Sequence, residues 1–155
     1  MKIEIPGFTT IEIKNLLFDY NGTLAKDGKI DNKTKKILQK LTKHFRVFVI
    51  TADTFGSVKE ELKDTDAEVL ILKSKNHTKE KAKFLKKLGK KKTVAIGNGN
   101  NDVLMIKKAI LSISIVADEG CSSKTLISSD IVCKDIKDAM KLFLKPKRLV
   151  ATLRR

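Results

Sequence analysis

Residues 16–26 read LLFDYNGTLAK, and this stretch decides how the rest of the chain is interpreted. The apolar residues 16–18 end in a carboxylate at Asp19, and a flexible turn containing Gly22 follows at once. A short apolar run of this kind is typical of a buried strand. Ligands of α/β proteins bind outside the carboxyl ends of the strands, so an acid at that point is placed to meet one. Asp19 is therefore the first candidate for a functional residue.

Strand and helix patterns alternate along the chain. The predicted strands cover residues 16–20, 46–51, 68–72, 93–96, 113–116 and 130–133, and the predicted helices cover residues 31–43, 54–63, 78–88, a stretch from 103 onward and 136–144. Such alternation predicts a three-layer α/β fold with a mainly parallel sheet and helices on both faces. Period-two alternation in residues 2–5 and 11–14, around Pro6 and Gly7, predicts an N-terminal β-hairpin.

Length and composition favour one soluble domain. The chain has 155 residues, which we assign to a single domain with its core at about residues 14–144 and a basic C-terminal tail at about 145–155. It contains no apolar stretch of membrane length, and its first residues lack the layout of a secretion signal. Cys121 and Cys133 show no metal-ligand spacing, so we interpret both as small apolar residues. We expect a cytoplasmic protein.

The formal net charge of +15 raises the question of a nucleic-acid partner. Lysines make up 29 of the 33 basic residues, and they are spread along the polar faces of the predicted helices. Aromatic residues amount to only 5%, whereas single-strand binders combine basic grooves with stacking rings. These features argue against nucleic acid and favour a lysine-rich solvated surface, whose field would also attract an anionic substrate.

Three polar loops are expected at one edge of the sheet, after the strands that end near Asp19, Thr51 and Asn98. An aspartate can attack phosphorus to form an acyl phosphate, which divides one difficult displacement into two easier steps. The transferred group concentrates negative charge, so the site needs hydroxyls, amides, a lysine and usually Mg²⁺. Thr51 offers a hydroxyl, and Asp102 and the carbonyl of Asn21 offer hard oxygen ligands.

These residues resemble the motifs of the haloacid dehalogenase-like phosphotransferases. Residues 19–23, DYNGT, are similar to the first motif, DxDGT, or DKTGT in P-type ATPases, and residues 51–53, TAD, are similar to the TGD of those ATPases. The third motif is a lysine on a helix, for which the apolar positions select Lys81, with Lys79 as the alternative. Residues 97–102, GNGNND, correspond to the fourth, GDGxND, so that four motifs stand in order within residues 14–133.

The resemblance implies a Rossmann-like core, a phosphoaspartate at Asp19 and a neighbouring Mg²⁺. The implied catalytic residues are Asp19, Asn21, Thr51 and Lys81, the implied phosphate-binding residues are Gly22, Thr23, Ala52, Asp53 and Lys79, and the implied metal ligands are Asp19, Asn21, Asn98 and Asp102. The segments between the motifs leave no room for a cap domain. This points to a capless protein close to the soluble P-type ATPase-like hydrolases, with an open pocket that a homo-oligomer could cover.

The chain departs from the family pattern at Asn21 and Asn98. The family's phosphatases carry a proton-transferring acid at the first of these positions, and an amide cannot take over that role at neutral pH. At the second, an amide replaces a metal-binding carboxylate, which lowers the expected affinity for Mg²⁺. We therefore expect a slow Mg²⁺-dependent phosphohydrolase or phosphotransferase. The alternative is a catalytically degenerate module that binds a phosphorylated ligand or protein partner.

Overall fold

A computed structural model describes residues 1–52 and 56–155. The strands are β1 (Lys2–Ile5), β2 (Thr9–Glu12), β3 (Asn15–Asp19), β4 (Arg46–Thr51), β5 (Glu68–Ile71), β6 (Thr93–Gly97), β7 (Leu111–Ile115) and β8 (Ile131–Cys133). The helices are α1 (Asn32–Thr42), α2 (Val58–Leu62), α3 (His77–Leu88), α4 (Val103–Lys108), α5 (Ser123–Leu126), α6 (Ile136–Leu144) and α7 (Pro146–Leu153). Two short 3-10 turns, Lys90–Lys92 and Asn100–Asp102, lie beside β6.

Six of the strands form one parallel sheet in the order β5-β4-β3-β6-β7-β8. Helices α1 and α6 pack on one face of this sheet, and α3 and α4 pack on the other. Strands buried on both faces have continuous apolar sequences, which explains why every residue between the first and the last of β3, β4 and β6 is apolar. The three-layer α/β fold predicted from the sequence is confirmed.

Capping residues fix the ends of the helices that flank the site. The carboxylate of Asp31 accepts hydrogen bonds from the backbone N–H groups of Lys33 and Thr34 at the start of α1. At α3 the side chain of Asn76 accepts from the N–H of Lys79, and Gly89 follows the helix with a φ of 90°.

The helix predicted at residues 54–63 differs from the structure at its beginning. Its first two residues lie outside the described part of the chain, and α2 begins only at Val58, after a Gly56 whose φ of 68° is incompatible with a helix.

The two ends of the chain meet on the side of the molecule remote from the carboxyl edge of the sheet. The hairpin β1–β2 forms as predicted. The basic tail is not irregular, because residues from Pro146 onward form α7, which packs against β1 through the fully buried Leu149. The backbone N–H of Arg155 donates a 3.0 Å hydrogen bond to the carbonyl of Pro6. In the described ranges, no helix combines the length and apolarity that spanning a bilayer requires.

Candidate active site

The candidate site lies at the carboxyl edge of the sheet, where three adjacent strands end. Asp19 ends β3, Thr51 ends β4, and Gly97 ends β6. Strand β3 lies between the other two, so the loops that follow them leave the sheet side by side. Ligand sites of open α/β sheets occupy this position. The topology therefore brings together three segments that are far apart in the sequence.

A buried lysine joins two buried carboxylates at this edge. The Nζ atom of Lys81 lies 2.5 Å from Oδ1 of Asp19 and 2.7 Å from Oδ1 of Asp102. The side chain of Lys81 is 1% exposed, that of Asp102 is fully buried, and that of Asp19 is 10% exposed. Lys81 can reach the site because it lies on the inner face of α3, together with Ala82 and Leu85. Asp19 is the one member of this cluster with access to solvent.

The charges in this cluster shift the pKa values of its members. Burial raises the pKa of Asp19 to about 7, the negative charge of Asp102 adds to this effect, and Lys81 offsets only part of it. Burial disfavours the charge on Lys81, but attraction to the two carboxylates outweighs burial and raises the pKa of its ammonium group. Lys81 is therefore charged at neutral pH. With both acids ionised, the cluster carries a net negative charge that an added cation would neutralise.

Asp102 is held by the loop that precedes it. Its Oδ2 atom accepts hydrogen bonds from the backbone N–H of Asn98 at 3.0 Å and from that of Gly99 at 2.9 Å. A Cβ atom on Gly97 would lie 2.6 Å from the same oxygen, so only glycine fits at the end of β6. The motif GNGNND thus places one carboxylate beside Lys81 with little freedom to move.

Asn98 connects the loops after β3, β6 and β7. The hydroxyl of Thr23 lies 3.3 Å from Oδ2 of Asp19 and donates at 3.1 Å to Oδ1 of Asn98. The amide nitrogen of Asn98 donates a 3.0 Å hydrogen bond to the carbonyl of Gly120. Gly22 has a φ of 76°, and a Cβ atom there would overlap the Asn98 side chain. Asn98 is therefore bonded at both ends of its amide group.

Asn21 has an unsatisfied side-chain oxygen. Its Oδ1 atom is buried and has no hydrogen-bond partner among the described residues. Buried polar atoms in proteins are almost always paired, so an unpaired buried oxygen two residues after Asp19 indicates a place for a ligand. A bound cation, a water molecule or a substrate hydroxyl would satisfy it.

The remaining site residues predicted from the sequence do not all lie at the buried cluster. Thr51 is buried at the end of β4, and Ala52 after it is partly buried. Asp53 lies outside the described residues. Lys79 is exposed on the outer face of α3, away from Asp19, so the structure brings Lys81 and not Lys79 to the carboxylates.

The sequence analysis missed the loop between β7 and α5, which supports the site from outside. The N–H of Ser122 donates to the carbonyl of Asn98 at 2.8 Å, and the hydroxyl of Thr125 donates to that of Gly99 at 2.7 Å. Lys26 forms a 2.6 Å ion pair with Asp118 from the same loop. The available signal was topological, since β7 is parallel to β6 and its loop must leave the sheet at the same edge.

A metal site would be built from few charged ligands. The described parts of the chain contain no group of three or more His, Cys, Asp or Glu side chains that could hold a metal. The oxygens of Asp19, Asp102 and Asn98 at this edge of the sheet and the unsatisfied Oδ1 of Asn21 are all hard donors. Hard oxygens and a net negative charge suit Mg²⁺. The donor set therefore fits a magnesium ion, with fewer carboxylates than a strong site would have.

Comparison with known proteins gives one sequence relative and many structural ones. No protein-family model matches the chain. An uncharacterized protein of Methanocaldococcus jannaschii is 55% identical over 78 residues, which cover 48% of this chain and 84% of that protein.

The structural likeness covers nearly the whole chain. A 3-deoxy-D-manno-octulosonate 8-phosphate phosphatase from Moraxella catarrhalis, crystallised with magnesium, phosphate and KDO, matches 92% of this chain and 94% of its own at a TM-score of 0.71 and 20% identity. The cobalt-bound form of the corresponding phosphatase from Haemophilus influenzae matches 93% and 94% at a TM-score of 0.72 and 13% identity. At such low identity these likenesses establish the fold alone.

Proposed function

We propose that this chain, which belongs to the family of the M. jannaschii protein and has the fold of the haloacid dehalogenase phosphatases, is a phosphohydrolase or phosphotransferase that works through Asp19. The observation that carries the proposal is the buried cluster in which Lys81 contacts both Asp19 and Asp102. Burying a lysine with two acids costs desolvation free energy, and such buried groups with shifted pKa values are concentrated at functional sites. Phosphoryl transfer uses the charge of the lysine, because negative charge develops beside the nucleophile.

The contacts of Asp19 define how it would react. Lys81 occupies Oδ1, while Oδ2 has only the 3.3 Å contact with the hydroxyl of Thr23. In the proposed first step an oxygen of Asp19 forms a bond to phosphorus while the bond to the ester oxygen breaks, leaving an acyl phosphate. In the second step water attacks that phosphorus, releases phosphate and regenerates the carboxylate. Lys81 and the hydroxyl of Thr51 would contact the phosphoryl oxygens in both steps.

Asn21 limits the proposed reaction, because the leaving alkoxide needs a proton and the water needs a base. The amide at this position can supply neither at neutral pH. We therefore propose slow turnover, best with leaving groups that depart as stable anions, and a long-lived phosphoaspartate.

A bound Mg²⁺ would supply positive charge that draws the phosphate towards Asp19. The proposed ligands are oxygens of Asp19, Asn21, Asn98 and Asp102, and the amide oxygen of Asn21 has no other partner among the described residues. The proposed substrate is a phosphate ester in an open pocket. The Moraxella neighbour was crystallised with phosphate and the sugar acid KDO, which makes sugar phosphates suitable first compounds to test.

We also propose that the protein is cytoplasmic and that it self-associates. Its two free cysteines agree with the reducing conditions of the cytoplasm.

The experiment that tests this proposal is trapping of the phosphoenzyme. Purified protein incubated with acetyl phosphate and Mg²⁺ should gain the mass of one phosphoryl group, on Asp19, and the adduct should be lost on treatment with hydroxylamine. Asp19→Asn is the matched control, because it keeps the shape of the side chain and removes the nucleophile. No adduct on the wild type, together with no Mg²⁺-dependent hydrolysis of a panel of phosphate esters, would refute the enzyme.

A second candidate is a module that binds a phosphorylated ligand without turnover. The observation in its favour is that both departures from the family pattern, Asn21 and Asn98, lie in the site itself. Thermal unfolding separates the two functions. Stabilisation by phosphate that is the same with and without Mg²⁺ would favour the module, and stabilisation that requires Mg²⁺ would favour the enzyme.

A further inference from the structure

The outer face of α3 carries a cluster of lysines without acidic partners, which we name the α3 lysine face: Lys79, Lys83, Lys86 and Lys87. All four are exposed, and none forms a salt bridge with a carboxylate in residues 1–52 and 56–155. Further exposed lysines flank the helix on both sides, at positions 73, 75, 90 and 91. No carboxylate of the described residues therefore pairs with the positive charge on this face.

These lysines border an open groove of about 810 Å³. Ser74 and Asn76 line one end of it, and the partly buried ring of Phe84 lies within it, with its edge against Phe48 at a centroid distance of 5.7 Å. Among the described residues, Glu80 is the one acidic residue in the lining. Its carboxylate accepts hydrogen bonds from the backbone N–H groups of Lys73 and Ser74 and does not pair with the lysines. The groove thus combines unpaired cations with one aromatic ring.

We propose that this groove binds single-stranded nucleic acid through its phosphates. Lysines act as point charges that attract phosphates, whereas the recognition of base edges relies largely on arginine, which the groove lacks. The twelve residues of α3 extend for about 18 Å, enough to follow several phosphates of a strand. Phe84 offers a ring on which a base can stack.

The composition of the groove favours this partner over an anionic membrane. Helices that bind membrane surfaces insert several large apolar side chains, and the outer face of α3 offers only Phe84. The few aromatic residues in the sequence argued against nucleic acid, but the fold places one of them among four unpaired lysines. The proposal does not depend on catalysis, because Lys79, the one lining residue that the sequence linked to phosphate binding, is exposed away from Asp19 and has no part in the proposed reaction.

Fluorescence anisotropy with a labelled, unstructured RNA of about 12 nucleotides tests the proposal. The wild type should bind, and the logarithm of its affinity should fall with the logarithm of the salt concentration at a slope of about −3, as expected for about four phosphate contacts. The triple variant Lys79→Gln, Lys83→Gln, Lys87→Gln should lose at least about tenfold in affinity and show a flatter slope.

The matched control is the triple variant Lys33→Gln, Lys36→Gln, Lys40→Gln, on the exposed side of α1. It removes the same charge from a helix on the opposite face of the sheet. This variant should change the affinity less than about twofold. The variant Phe84→Leu, which keeps an apolar contact with Phe48, should weaken RNA binding at least about fivefold.

Three results would overturn the proposal. Equal losses in the two lysine variants would show a general effect of net charge, with no role for the groove. Absence of salt-dependent RNA binding would remove the interaction itself. Equal binding of phosphatidylserine vesicles, with the same sensitivity to the three α3 lysines, would identify the groove as a membrane surface.

Discussion

The side-chain nitrogen of Lys81 lies 2.5 Å from Oδ1 of Asp19, although 62 positions separate the two residues in the chain. The second carboxylate on Lys81, that of Asp102, is also buried, so one ammonium group balances two acids inside the protein. Removing the ammonium group and removing one of the carboxylates should therefore change the stability of the protein in opposite directions.

Lys81→Met should destabilise the protein strongly. The change leaves Asp19 and Asp102 buried without a counter-charge, and breaking a buried ion pair in this way costs about 3–5 kcal/mol. Urea unfolding at pH 8 measures the loss, which should shrink at pH 5, where the carboxyls can bind protons. Lys79→Met is the control, since that side chain is exposed, and it should change the free energy of unfolding by less than about 0.5 kcal/mol. Equal effects of the two variants would show that Lys81 has no special role in the core.

Asp19→Asn should stabilise the metal-free protein at alkaline pH. The pKa of Asp19 is raised from 3.8 to about 7 in the folded state, so folding favours its protonated form. The stability that this group contributes is present below pH 4 and is lost as the pH rises through about 7. The variant should exceed the wild type by an amount on the order of 1–3 kcal/mol at pH 8 and by little at pH 4. Melting curves across this range in the presence of EDTA provide the test, and a constant difference would contradict it.

Asn98→Asp should strengthen Mg²⁺ binding and weaken the metal-free fold. A third carboxylate near Asp19 and Asp102 attracts a cation, but it cannot donate the hydrogen bond that the amide makes to the carbonyl of Gly120. We expect about a tenfold gain in Mg²⁺ affinity by calorimetry and a loss of about 1–3 kcal/mol of stability in EDTA. Asn100→Asp places the same charge on an exposed residue of the same loop and should change neither quantity appreciably. If both variants gain the same affinity, Asn98 does not face the metal.

Asn21→Asp should accelerate hydrolysis, because a carboxyl at this position can protonate the leaving group and then activate water. General acid–base catalysis contributes about 10²–10⁴-fold, and the gain should be larger for alkyl phosphates than for aryl phosphates with stable leaving groups. The rate of phosphoenzyme decay in single-turnover experiments measures the second step directly. Uniform gains on all substrates would indicate a change in binding and not in proton transfer.

Gly22→Ala should disturb the site more than Gly120→Ala. Both glycines have a φ of 76°, so each alanine carries a similar backbone strain. A Cβ atom at Gly22 would also overlap the side chain of Asn98, whereas the space beside Gly120 is open. We expect Gly120→Ala to lower the free energy of unfolding by about 1 kcal/mol and Gly22→Ala to lower it clearly more. Only Gly22→Ala should also lose Mg²⁺ binding. Chemical denaturation and calorimetry distinguish these outcomes.

Local pattern was enough to predict most of the fold. The apolar runs of β3, β4 and β6 and the cap at Asp31 have signals within a few residues, and all four features formed as expected. Strand β7 begins at Leu111, two residues before its predicted start, because the hydroxyl of Ser112 is satisfied by Asp130 and can be buried. A polar residue whose partner lies 18 positions away carries no sign of that partner in its own neighbourhood.

The candidate site was predictable where a helical period or a motif carried the information. The apolar stripe of α3 selects Lys81, because residues two positions apart on a helix point to nearly opposite sides and only one of the two lysines can share the face of Leu85. Neither a helical period nor a motif predicted the hydrogen bond from the Asn98 amide to the carbonyl of Gly120. Neither the spacing nor the composition of residues 117–122 indicates that this loop would reach Asn98.

The junction between α7 and the N-terminal hairpin affects how the protein can be handled. Both termini lie at the amino end of the sheet, where Arg155 is bonded to Pro6 and the N-terminal ammonium of Met1 donates to the carbonyl of Ile13. An affinity tag or a surface tether at either end would therefore leave the opening above Asp19 unobstructed. Trimming the last helix would instead remove Leu149 and uncover the apolar side of β1 against which it packs, and such a shortened protein should be prone to aggregate.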